Sequence, residues 1–148
     1  METIPLPNAR HDTLSSSHMS FNTVGAVIAG LITWILIATV LNLALRASWP
    51  HYHEAETSFN FTFAMKLARL VLGAAASLGA GFIATWSGKG RMRAATLSGI
   101  ILLCLFIPGH YRIWDKFPVW YHLTFLLSLL PLTLLGAVLK QKAGGKAA

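Results

Sequence analysis

The sequence predicts an all-α, polytopic integral membrane protein with four transmembrane helices in an up-down bundle. Three observations predict it. Of the 148 residues, 55% are hydrophobic and only 11% are charged, whereas soluble chains carry about 25% charged residues. Four apolar runs alternate with polar connections, and none of the carboxylates Glu2, Asp12, Glu54, Glu56 and Asp115 falls inside a run. Finally, the run 70–86, LVLGAAASLGAGFIATW, repeats small residues every four positions: Gly73, Ser77 and Gly81, with Ala75/Gly79 and Ala76/Ala80 beside them. That spacing puts each set on one helical face. Lipid supplies little hydrophobic drive between helices, so close backbone approach along small residues holds them together. The run is expected to be the spine of the bundle.

Residues 1–20 are polar, with Pro5, Pro7 and three consecutive serines. They lack the basic-then-apolar pattern of a signal peptide, and a disordered cytoplasmic tail is expected. Residues 21–45 are uncharged and long enough to span with some tilt. Gly25 and Ala29 form a small-residue face there, as do Ala26 and Gly30. Asn42, near the far end, reads as interfacial hydration or a helix–helix hydrogen bond.

Residues 46–62 read as the longest polar connection. Trp49 and Pro50 end the first helix, and Phe59, Phe61 and Phe63 alternate at the headgroup level. Asn60-Phe61-Thr62 also matches the short glycosylation acceptor pattern. The second span is expected at about 64–86, with Lys66 and Arg69 snorkelling from its start. Gly88 and Gly90 then stop the helix in a basic turn.

The third run, 94–107, gives only roughly 21 Å of helix against a hydrocarbon core of about 30 Å. It suffices if extended to 92–112, with a kink or break at Pro108-Gly109. Pro118 suits the first turn of the fourth span, 118–139, and Pro131 lies inside it. Residues 140–148 read as a basic, disordered cytoplasmic tail.

With both termini on one side, that side holds Arg10, Lys89, Arg91, Arg93, Lys140, Lys142 and Lys146. The other side holds Arg46, Lys66, Arg69, Arg112 and Lys116. The excess places both termini in the cytoplasm. A formal net charge of +7 is explained by orientation and phospholipid headgroups rather than by nucleic acid. The lone Cys104 forms no internal disulfide.

The chemistry-bearing side chains gather at the outer face. His51, His53 and Glu56 are candidate metal ligands, because imidazole and carboxylate suit zinc or iron. His110 and His122 come from two helices at similar depth. They are candidates for axial ligation of a b-type haem or for a quinone or lipid-headgroup pocket. Arg112 and Asp115 could pair across the last outer turn. Trp and Tyr residues at 49, 52, 111, 114, 120 and 121 read as an interfacial belt.

No carboxylate lies within a run, which argues against a proton-coupled exporter. No nucleophile–base pair or phosphate loop is visible, and catalysis is not expected. The plan resembles that of many small four-helix inner-membrane proteins, an architectural likeness that transfers no residue roles.

The sequence therefore points to a bacterial inner-membrane protein with no cofactor. It is expected to act by helix packing through Gly25, Ala29, Gly73, Ser77 and Gly81, as an accessory or assembly subunit or a homo-oligomer. Its small-residue faces exceed what one bundle needs, which suggests partner helices. A haem- or quinone-binding redox subunit is the alternative, and a small transporter or lipid-handling protein the third reading.

Overall fold

The computed structural model describes residues 21–145, so the expectations for the 1–20 tail, Arg10 and Lys146 lie outside the described residues. The described chain is helical: α1 (Phe21–Ser48), α2 (Tyr52–Ser58), α3 (Phe63–Ser87), α4 (Met92–Arg112) and α5 (Val119–Gly145), with one 3₁₀ turn at Trp114–Lys116. Helices α1, α3, α4 and α5 are each long and apolar enough to cross a membrane. An even number of crossings returns both ends of the described chain to one side.

Three buried hydroxyls in the spans are satisfied by the helix itself, while the buried Thr85 hydroxyl makes no hydrogen bond among the described residues. Ser77 donates to the Gly73 carbonyl, Ser98 to Ala94 and Thr133 to Leu129, each at 2.7–2.8 Å. The Trp34 indole N–H donates to the Ser77 hydroxyl at 3.2 Å, tying α1 to α3.

Helix α3 sits among the other three, because its small side chains let their backbones come close. A Cβ added at Gly81 would overlap the Thr133 carbonyl of α5, and one at Gly136 would overlap the Leu78 carbonyl of α3. Gly73 receives the Phe125 ring, and Gly30 of α1 meets Ala84, Ala80 and Ser98. Gly79 and Gly99 are filled by Ile37 and Leu130 in the same way. Gly25 behaves differently: it is exposed, with nothing within 4 Å of an added Cβ. On α1 the packed small face is that of Ala26 and Gly30, while Ala29 is only half-buried. Most small faces are thus used inside the bundle, and the Gly25 face is left open.

The two ends of the bundle pack differently. At the end holding the α3–α4 turn, the core is Ala26, Val27, Ala84, Ala94, Ala95 and Ala137. At the opposite end it is Tyr52, Ala55, Phe61, Met65, Phe117 and Tyr121. Alanines draw the helices together at one end, and large rings hold them apart at the other.

Four expectations need correction. Residues 52–58 form a helix, entered through His51 (φ 62°) and left through Phe59 (φ 59°), both in the left-handed region. Helix α4 runs unbroken through Pro108, which lies near its C-terminus. Residues 140–145 are helical, because Gln141 Nε2 donates to the Gly90 carbonyl at 3.0 Å and Lys140 lies over the Phe82 ring. The aromatic belt is divided: Tyr111 is 81% exposed, whereas Tyr52, Phe61 and Tyr121 are buried core residues.

Candidate functional site

Asn42 and Arg46 lie one turn apart on α1, and Tyr52 and Glu56 one turn apart on α2, so each pair shares a face. The turn through His51 folds the second pair onto the first, and Arg69 reaches in from α3. Glu56 Oε1 accepts from Asn42 Nδ2 at 3.0 Å and from Arg69 Nη1 at 3.2 Å, while Oε2 accepts from Arg46 Nε. The Tyr52 hydroxyl donates to Asn42 Oδ1 at 3.3 Å and accepts from Arg69 Nη1 at 3.4 Å. The Arg69 guanidinium lies 4.8 Å from the Phe61 ring centroid. Arg69 therefore does not snorkel outward; a carboxylate and an aromatic face hold it inward.

Burial alone would raise the Glu56 carboxyl. Hydrogen bonds from Asn42 and Arg46, with the charges of Arg46 and Arg69, outweigh it and hold the group below its ordinary 4.5. Burial raises the Tyr52 phenol above its ordinary 10.0, and the Arg69 hydrogen bond and charge offset part of that rise. A carboxyl lowered on folding stabilises the fold above its unfolded pKa, and that stability is lost as pH falls through the folded value. The thermal midpoint of the detergent-solubilised protein is thus expected to fall between about pH 6 and about pH 3. In Glu56→Gln this fall should be smaller; an equal fall would locate the acid sensitivity elsewhere.

The histidine pair stands beside this cluster. His110 Nδ1 and His122 Nδ1 are 2.8 Å apart, and His122 Nε2 donates to the Trp114 carbonyl at 3.3 Å. The Trp114 indole stacks on the His122 ring at 4.7 Å, and Phe125 stacks on His110 at 4.7 Å. Two axial imidazoles must stand on opposite faces of a porphyrin. Ring nitrogens in direct hydrogen-bond contact leave no gap for it, so this arrangement does not fit a bis-histidine haem.

The other candidate set does not converge either. His51 Nδ1 meets Glu54 at 3.0 Å, His53 is exposed, and Glu56 is turned to the arginines. Among the described residues no group of three or more His, Cys, Asp or Glu side chains is placed to hold a metal. Arg112 and Asp115 form no ion pair; the pairs among the described residues are Arg46–Glu56, His51–Glu54 and Arg69–Glu56.

What the structure brings together is a cavity of about 620 Å³, within the range of small-molecule sites. Asn42, Arg46, Glu56 and Arg69 are among the polar residues of its wall, and Trp34, Leu72, Phe106 and Phe125 among the apolar ones. His110 and Gly109 belong to the wall as well. Trp34 and Phe106 are in ring contact at 4.7 Å, Phe106 and Phe125 at 5.2 Å.

The sequence singles out His110 and His122, as a haem, quinone or lipid-headgroup pair, and Glu56, as a metal ligand. It does not single out Asn42, Arg46, Tyr52 and Arg69 as a unit. The available signal was the pair of four-residue spacings, 42/46 and 52/56, flanking a turn. Compared with protein-family models, with characterised proteins and with solved structures, the chain gives no match.

Proposed function

We propose that this membrane protein holds an amphiphilic small molecule drawn from the bilayer. Its polar head lies among Asn42, Arg46, Glu56 and Arg69, and its apolar body lies against Trp34, Leu72, Phe106 and Phe125. The observation that carries this reading is that one cavity is walled both by the charged side chains Arg46, Glu56 and Arg69 and by the rings of Trp34, Phe106 and Phe125. On α1 the wall runs from Arg46 to Trp34, roughly 18 Å of helix at 1.5 Å per residue. That distance reaches from the interface about halfway through a hydrocarbon core of about 30 Å.

This reading joins the quinone-pocket and lipid-handling alternatives. It takes precedence over a packing subunit, because Gly73 and Gly81 are covered by the protein's own side chains and backbone, which leaves only the Gly25 face open. The Lys and Arg excess supports an orientation with both termini cytoplasmic, so that the Arg46 end of the cavity meets the outer leaflet.

Gly109 supplies the test. It lines the cavity, is exposed, and an added Cβ there meets nothing within 4 Å. Gly109→Phe should therefore narrow the cavity at this wall without disturbing the bundle. Native mass spectrometry from mild detergent is expected to show a lipid-sized adduct on the wild type and on Gly25→Phe, but none on Gly109→Phe. An adduct retained equally by Gly109→Phe, or none on the wild type, would contradict the proposal.

A further inference from the structure

His122 is wholly buried, and its two contacts define where the protons of the histidine pair lie. A carbonyl oxygen only accepts, so the contact with Trp114 places a proton on His122 Nε2. A neutral His122 then accepts at Nδ1, and His110 must donate from its own Nδ1. A neutral His110 is left with a lone pair on Nε2. Neither ring has a carboxylate partner among the ion pairs of the described residues, and Glu56 is already held by two arginines. A second proton would create a buried, unpaired charge. His110 is 7% exposed, lines the cavity, and its Nε2 makes no hydrogen bond among the described residues. Among the acceptors of the cavity wall, His110 Nε2 is thus an oriented one that makes no hydrogen bond among the described residues, beside rings that suit a flat guest.

We infer that the guest carries a hydroxyl on an aromatic ring, a phenol or hydroquinone head on an apolar tail, and that this hydroxyl donates to His110 Nε2. The inference rests on the amphiphile reading and specifies its head. A phosphate or carboxylate head is a poorer match at His110, for it would oppose the lone pair on Nε2. Selection by a positioned acceptor is sharp, because an analogue lacking the hydroxyl leaves a desolvated polar atom unpaired.

The test uses the full chain in lipid nanodiscs and two probes of nearly one shape, 4-dodecylphenol and its methyl ether. Each is read by displacement of tritiated 4-dodecylphenol. The phenol is expected to bind at least about tenfold more tightly, and His110→Phe should bring the two to near parity. Equal affinities on the wild type would overturn the hydroxyl assignment while leaving occupancy of the cavity standing. A preference that survives His110→Phe would overturn it too, by placing the acceptor elsewhere. Absence of saturable binding, or binding indifferent to Gly109→Phe, would overturn the cavity reading itself.

Discussion

Gly81→Leu is expected to be the most damaging single substitution in the bundle. Its first side-chain carbon would overlap the Thr133 carbonyl of α5, and a backbone atom cannot swing aside as a side-chain tip can. The helices must separate, which opens the small-residue contact along its length. A loss of about 3 kcal/mol or more is expected, read as the unfolding midpoint in mixed detergent–dodecyl sulfate micelles. Gly136→Leu should act alike, since it meets the Leu78 carbonyl across the same contact. The two together should cost less than their sum, because the first already parts the surfaces. Gly25→Leu is the control and should stay within about 0.5 kcal/mol. If Gly81→Leu were as stable as Gly25→Leu, the α3–α5 packing described above would be wrong.

Glu56→Ala is expected to have the second largest effect. The side chain of Glu56 is only 13% exposed and joins α1, α2 and α3 through Asn42, Arg46 and Arg69. Its removal leaves Arg69 half-buried without its anion and Asn42 without an acceptor. Losing one member of such a pair costs more than the pair contributed, because the remaining charge stays desolvated. Arg46 is 42% exposed, so water replaces much of its share. A loss of about 2–3 kcal/mol is expected. Hydrogen exchange should accelerate selectively at 52–58, since α2 is a two-turn helix held by this cluster and by buried Tyr52 and Ala55. A second change, Arg69→Met in the Glu56→Ala background, should recover part of the loss. Uniform exchange across all helices would contradict the local role given to Glu56.

The four spans were legible because their signal is one-dimensional: unbroken apolar length and small residues at spacing four. The spine residues Gly73, Ser77 and Gly81 could be read in this way. Gly25 could not be told from Gly30 by spacing, because each belongs to a four-residue pair of small residues; only the position of α3 decides which face is covered. Helix α2 was hidden because its entry and exit use left-handed backbone at His51 and Phe59, residue types that do not announce such a turn as glycine does. The site was half legible. His110 and His122 were found as a pair at one depth, but whether two imidazoles face a metal or each other depends on a few ångströms of helix rotation. Arg69 was read as snorkelling because its partner Glu56 is thirteen positions away, beyond any local pattern. The carboxylate that draws it inward is visible only once α2 has folded back.

The most direct measurement is photolabelling in native membranes with an amphiphile bearing a diazirine in its chain, followed by peptide sequencing by mass spectrometry. Occupancy of the cavity places the label on Trp34, Phe106 and Phe125, and Gly109→Phe abolishes it there. Label confined to the exposed outer residues of α1, such as Ile28, Ile35 and Leu43, with none on the cavity rings, would contradict a bound guest.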